Sequence, residues 1–328
     1  MFTTAHVKVI PSGHEFCISG NESILEAGVR AGYALDYGCS NGNCGRCIVR
    51  VETGSTTPLR HHDFALSAAA KAQGMILSCC HTAHSDLVIQ ADEARGAGDI
   101  PLQSISLRLR KIDRSQDGIL IVNARPPRAR RLRFLAGQGA ELKVAGHGAR
   151  QYPIASCPCD DMNLQFHVPT NNHDPVAKWL WQAKHNDTVE LTGPHGDFIL
   201  NENSPNPLVF VASGTGFGPV KALIEHAMAL ATAPQIILLW QTTTQCHYLH
   251  NLPRSWNDAL DKFHYIPYSG PLTAKSIRQE MLTRSAYSPE SMDFYAAVDA
   301  TTRQALEAYL VSQRVAGSQV HWHERLFD

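Results

Sequence analysis

The sequence predicts a multidomain chain of mixed class: an α+β module, then an antiparallel β-barrel, then a parallel α/β domain. Three observations carry that prediction. Short strand-like runs surround one helical stretch in residues 1–95, two-residue alternation dominates 100–202, and within 205–328 strands alternate with helices across a glycine loop. A chain of 328 residues, 44% hydrophobic and 18% charged, is long enough for each part to have its own core.

In the first part "HVKVI" and "HEFCI" read as a strand pair across Pro11-Ser12-Gly13, and "NESILEAGVRAGY" as a short helix. Asn21 is the expected N-cap, Ile24, Leu25, Gly28 and Ala31 share a face, and Gly32 supplies a left-handed stop. A cysteine-rich loop follows, then strand-like "CIVRVETG", a helical stretch near "HDFALSAAAKAQG" and "SDLVIQA" as closing strand. The polar, proline-terminated "DEARGAGDIP", residues 92–101, reads as a connection between domains.

Alternation resumes in "SISLRLRKI", where Ile105, Leu107 and Leu109 point one way and Ser106, Arg108 and Arg110 the other. With "DGILIVNAR", "LQFHV" and "TVEL" this part reads as an antiparallel barrel, interrupted by one helix, "PVAKWLWQAK". From Pro207 the order is strand "PLVFVAS", loop "GTGFGP", helix "VKALIEHAMAL" and strand "QIILLW", with "DFYAAV" and the helix "TTRQALEAYLVSQ" later. That order argues a parallel sheet with crossover helices.

Composition excludes several function classes. A formal net charge of -1, with no block of five like charges, provides no general field for nucleic acid. The longest apolar run, near 236–240, is too short to cross a bilayer, and the N-terminus lacks a signal peptide's basic start and apolar core, so a cytoplasmic protein is expected. Nine cysteines without an export signal read as thiols and ligands, not as a disulfide framework. Cys157 and Cys159 read as loop thiols. The 17 histidines form no metal-binding helical pair.

Cys39, Cys44 and Cys47 follow C-x4-C-x2-C, the spacing that holds three corners of a plant-type 2Fe-2S cluster, with the fourth thiolate downstream. Gly38, Gly42 and Gly45 allow the dihedrals such a loop needs and let backbone N–H groups approach the sulfurs. Cys79 and Cys80 compete for the fourth place, and because neighbours on an extended segment face opposite ways, only one can turn inward; spacing leaves the choice open.

The stretches "YGCSNGNCGRC", "ILSCC" and "SDLVI" resemble the ferredoxin module of bacterial NAD(P)H-dependent iron-sulfur flavoprotein reductases, the electron suppliers of oxygenases and of deoxysugar glucoseen reductases. The resemblance implies a β-grasp ferredoxin module, with Cys79 as fourth ligand and Cys80 as bystander. "RQYPIAS" and "GPHGDF" resemble two marks of that family's flavin-binding barrel. By resemblance Arg150 meets the flavin pyrophosphate and Tyr152 packs on the isoalloxazine; FAD is the implied flavin and FMN the alternative. Pro153 stands where the family has a serine and offers neither hydroxyl nor N–H, which makes Ser156, with Tyr152, the candidate catalytic pair. The implied flavin-binding set also includes Ile154, His167, Val168, Val176 and Ala177. In "TNNHDPVAKWL" the family's glycine pair and hydroxyl are missing. The helix start is expected to offer free N–H groups, with Asn171, Asn172 and His173 as further donors and Asp174 an odd neighbour for phosphate.

"GTGFGP" resembles the family's pyridine-nucleotide loop, implying a Rossmann-like domain in which Gly214, Thr215, Gly216, Pro219 and Gln241 bind the nucleotide. No Lys or Arg occurs from Gln235 until Arg254, which favours NADH over NADPH, because a 2'-phosphate prefers a guanidinium at this strand end. In "FYAAVDA", Ala297 and Val298 replace a cysteine-glycine pair, and the valine is expected to add bulk where the nicotinamide lies; Phe327 is a candidate flavin-stacking aromatic. The resemblance implies an NADH-dependent reductase serving an acceptor protein, most plausibly an oxygenase or hydroxylase component. A reductase for a deoxysugar dehydratase and a non-catalytic carrier with a decayed nucleotide half are the competing readings.

Overall fold

The computed structural model describes residues 5–115, 118–170, 173–243 and 247–324. Three sheets, each with its own buried cluster, follow one another along the chain.

The first module contains β1 (Ala5–Ile10), β2 (Glu15–Ile18), α1 (Ile24–Arg30), β3 (Ile48–Thr53), β4 (Thr56–Pro58), α2 (Ala68–Ala72), β5 (Met75–Leu77), β6 (His81–Ala83) and β7 (Leu87–Gln90). Its sheet runs β2-β1-β7-β3-β5, with β1 and β7 parallel and the other pairs antiparallel, while β4 and β6 pair separately. Helix α1 buries Ile24, Leu25, Ala27 and Gly28 against it. A Cβ at Gly28 would lie 2.5 Å from Leu35, so glycine is what allows this approach. The N-cap is Ser23, not the expected Asn21. Ser23 Oγ accepts the Glu26 N–H at 3.1 Å and Glu26 accepts the Ser23 N–H at 2.9 Å, the reciprocal cap that S-x-x-E spacing provides.

The second sheet contains β8 (Gln103–Arg114), β9 (Ile119–Arg125), β10 (Gly139–Val144), β11 (Gly148–Pro153), β12 (Leu164–Pro169) and β13 (Thr188–His195), with α3 (Pro175–Gln182) between the last two. The order is β11-β10-β13-β8-β9-β12, antiparallel throughout. A bond from Ala155 N–H to the Gln165 carbonyl, 2.7 Å, draws the two outer strands together. Alternation along β8 buries Ile105, Leu107 and Leu109, as its period requires, and α3 plugs the sheet with Val176, Ala177 and Leu180.

The third sheet is fully parallel, in the order β16-β15-β14-β17-β18. Its elements are β14 (Leu208–Ser213), α4 (Phe217–Leu230), β15 (Ile236–Thr242), α5 (Asn251–Ala259), β16 (Phe263–Ser269), α6 (Ala274–Arg284), β17 (Asp293–Ala297), α7 (Ala300–Ser312) and β18 (Val320–Trp322). Strand order reverses beside β14, so the carboxyl ends of β14 and β17 form a switch-point crevice, where ligands of open α/β sheets bind.

The segment before β10 fastens the first module. Arg133 donates to Asp36 and to the Ala34 carbonyl, both at 2.8 Å; the Arg131 N–H reaches the Gly38 carbonyl at 3.3 Å, and its guanidinium pairs with buried Asp161 at 3.0 Å. No helix among the described residues is long and apolar enough to cross a membrane.

Candidate functional site

The cysteine loop takes its shape from residues that tolerate left-handed backbone: Gly42 has φ +84° and Gly45 φ +73°. A Cβ at Gly45 would fall 2.3 Å from the Phe64 ring, so the loop is folded against the segment that follows β4. The N–H groups of Asn43 and Cys44 donate to Cys39 Sγ at 3.3 Å, and the Cys39 N–H to Cys44 Sγ at 3.4 Å. Burial opposes ionisation of the Cys39 thiol, yet the N–H groups of Asn41, Asn43 and Cys44, with the Cys44 side chain, bring it down to about 7. Cys47 and Cys79 form a second, buried pair with sulfurs 3.1 Å apart; the hydrogen bond between them, then burial, pushes the Cys47 thiol up.

Four thiols in two pairs fit a two-iron cluster, in which each iron takes two protein ligands. No three His, Cys, Asp or Glu groups converge as a single-ion site among the described residues. Cys80 Sγ touches Cys79 Sγ at 3.5 Å and lies under Gly42. Cys44 is exposed and the other three thiols are buried, so the site meets solvent on one side.

A cavity of about 320 Å³ opens between the second and third sheets. Gly139, Tyr152 and Pro153 form its barrel side and Asp197, Phe198 and His323 the other. The His323 N–H bonds the Ala296 carbonyl at 2.8 Å, which carries the ring past the edge of β17 onto Phe198, centroids 5.2 Å apart. Burial brings the His323 imidazole down to about 4, against the pull of Asp197 on the same wall, so the ring itself is neutral at pH 7. Ala297 and Val298 sit at the adjacent strand end. The bulk expected of Val298 is not in the crevice, because the side chain belongs to the core on the α6–α7 face with Leu306 and Tyr309.

Tyr152 is buried, and its hydroxyl donates to Asp174 Oδ2 at 2.5 Å. Asp174 N-caps α3: Oδ1 accepts the N–H of Val176 at 2.9 Å and of Ala177 at 3.0 Å. The free N–H groups expected at these two residues are therefore taken. Burial, then the hydrogen bond and the charge of Asp174, push the Tyr152 phenol up, while the positive Arg150 pulls the other way.

Several expected flavin residues stand elsewhere. Ser156 Oγ accepts the Gln165 N–H at 3.2 Å where the barrel closes, and is absent from the cavity lining. Ile154 and Val168 are core residues of the barrel. His167 is buried against α4, bonded to the Tyr248 hydroxyl at 2.8 Å and to Gln165 at 3.0 Å. Burial, then the Lys221 charge, hold it neutral. Asn171, Asn172 and Phe327 lie outside the described residues.

At the switch point Gly214 (φ +50°) opens a 3-10 turn that ends at Gly216, and α4 begins at Phe217 with no capping side chain and with Pro219 in its first turn. Trp240 Nε1 donates to the Gly214 carbonyl at 3.0 Å, and its ring stacks on Phe217 at 3.9 Å, which anchors the turn from behind. Thr215 is buried, and Gln241, at the end of β15, donates to the Gly270 carbonyl at 3.0 Å.

His323, Arg131 and Arg133 were not singled out from sequence, nor was the bond between Tyr152 and Asp174. For Asp174 a signal existed: Asp before a helix-opening proline is an N-cap pattern. The C-x-C of Cys157 and Cys159 is a disulfide, not two loop thiols.

The 2Fe-2S iron-sulfur cluster binding domain family matches residues 7–84. The CDP-6-deoxy-L-threo-D-glycero-4-hexulose-3-dehydrase reductase of Yersinia pestis is 28% identical over 268 residues, 80% of this chain and 79% of its own. The reductase subunit of an aromatic O-demethylase from an Amycolatopsis species is 31% identical over 226 residues, 66% of either chain. Among solved structures, an Amycolatopsis cytochrome P450 reductase superposes with a TM-score of 0.58 at 25% identity, covering 98% of both chains.

Proposed function

The chain belongs to the ferredoxin-reductase superfamily, and from that premise we propose that it is an NADH-dependent reductase passing electrons through a flavin and a 2Fe-2S cluster to a separate acceptor protein. The supporting observation is that one chain holds two thiol pairs, a cavity beside Tyr152 and a glycine turn at a sheet switch point. A bound flavin takes two electrons from a nicotinamide as hydride and releases them singly, which a one-electron cluster requires.

The chain's own residues bind, orient and shield. Cys39 and Cys44 would hold one iron and Cys47 and Cys79 the other, and the N–H groups of Asn43 and Cys44 would stabilise negative sulfur. Tyr152 and Pro153 would support the flavin ring, and Phe198 with neutral His323 closes the opposite wall beside Asp197. Exposed Arg150 is the cation for flavin phosphate. The Gly214–Gly216 turn and the uncapped start of α4 receive the dinucleotide, and the absence of Lys and Arg between Gln235 and Arg254 favours NADH. The exposed edge at Cys44 is where an acceptor approaches, and relatives named as reductase components of a terephthalate 1,2-dioxygenase and a phenol 2-monooxygenase support an oxygenase or hydroxylase component in that role.

The Yersinia pestis relative supports a second acceptor, a deoxysugar dehydrase. An anaerobic titration followed by absorbance and electron paramagnetic resonance tests the core of the reading: NADH is expected to bleach flavin and cluster together. A protein loaded with both groups but inert to NADH and NADPH would sink it. Adding an oxygenase component or a hexulose dehydrase then separates the acceptors by which one turns over.

A further inference from the structure

The flavin region holds an anion of its own. Asp174 is 5% exposed, yet its carboxylate is fully engaged: Oδ1 takes the N–H groups of Val176 and Ala177, and Oδ2 takes the Tyr152 hydroxyl. The same Tyr152 lines the cavity, and the charge of Arg150, two positions back along β11, acts on its phenol. Cavity, Tyr152, Arg150 and the first turn of α3 are thus one neighbourhood.

A helix start with unfilled N–H groups attracts phosphate, because the donors point outward and the helix dipole favours negative charge. At α3 both attractions are already satisfied from within. A phosphate arriving there meets engaged donors and a like charge in a poorly hydrated setting. Nor can the carboxylate swing aside easily, since that would strand the buried Tyr152 hydroxyl without its acceptor.

We propose that Asp174 is a specificity-determining residue, a built-in anion that takes the place of a flavin pyrophosphate at α3, so that this chain discriminates weakly between FAD and riboflavin. This rests on the flavin reading above.

The test is flavin binding to the full-length chain stripped of flavin, followed by quenching of flavin fluorescence, for wild type, Asp174→Ser and Asp174→Asn. Both replacements are good N-caps, so α3 keeps its start, and the asparagine also keeps the shape while removing the charge. The wild-type preference for FAD over riboflavin is expected to be about tenfold or less, and to grow by about tenfold or more in at least one variant as FAD tightens. Taking the ratio cancels any general weakening of the site. A ratio that stays within about threefold of wild type in both variants overturns the proposal. FAD bound by the wild type with no measurable riboflavin binding likewise overturns it, whereas neither flavin bound by any of the three proteins would sink the flavin reading itself, and this inference with it.

Discussion

The cysteine loop and the start of α3 solve the same electrostatic problem with opposite outcomes. In each, consecutive backbone N–H groups converge on one point: Asn43 and Cys44 on Cys39 Sγ, Val176 and Ala177 on Asp174 Oδ1. In the loop the acceptor is a thiol whose ionisation is brought down to about 7, a ligand prepared for a group that comes from outside. At α3 the acceptor is a carboxylate tied to Tyr152, and the donors are closed to anything else. The start of α4, with Gly216 in the cap position and no capping side chain, stands between them: its Phe217 N–H turns back on the Gly214 and Thr215 carbonyls, and no carboxylate sits at its start. A turn of N–H groups is therefore a binding site only when the residue before it leaves the donors unclaimed.

The largest expected effect lies in the loop. Cys79→Ser removes a member of the Cys47 pair and should abolish the cluster's visible absorbance and paramagnetic signal, while Cys80→Ser keeps both. Equal loss in the two variants, measured with iron content, would mean that the fourth ligand is misassigned. Next comes the conversion of α4 into a copy of α3. Gly216→Asp places a carboxylate at an uncapped start, in an ordinary right-handed backbone, and should raise the KM for NADH by about a hundredfold, leaving cluster reduction by dithionite intact. An unchanged KM would show that nucleotide phosphate is held elsewhere.

The smallest effect concerns the neutral imidazole on the cavity wall. His323 ionises at about 4 when folded, below its ordinary value, so in the window between the two the unfolded chain binds more protons than the native one. Its contribution is fully present above the ordinary histidine value and lost progressively as pH falls toward 4. Between pH 7.5 and 5.5 this amounts to about 1 kcal/mol, and His323→Phe should remove that share of the pH dependence of urea denaturation. Identical pH slopes in wild type and variant would show that the imidazole is solvated.

The strand and helix alternation, the C-x4-C-x2-C loop and the glycine turn were legible because each depends on local spacing: period two buries Leu107 and Leu109, and a glycine loop between strand and helix leaves few other readings. The first helix was legible but its cap was not, since Asn21 and Ser23 are both acceptable caps until Glu26 reaches back. The partners of His167 and Ser156 were not legible for a different reason. His167 packs on Phe217 of α4 and bonds Tyr248, and Ser156 takes the Gln165 N–H, contacts made by elements far apart in the chain.

By itself the sequence determined the three-part order, the C-x4-C-x2-C spacing with its two downstream candidates Cys79 and Cys80, and the absence of Lys and Arg between Gln235 and Arg254, because these follow from residue type and spacing. Only the tertiary structure decided that Cys79 pairs with Cys47, that Val298 lies in the α6–α7 core away from the crevice, and that His323 lines the cavity. Each of these depends on elements far apart in sequence meeting at one surface, and burial and donor geometry at that surface, not residue type, set what each side chain can bind.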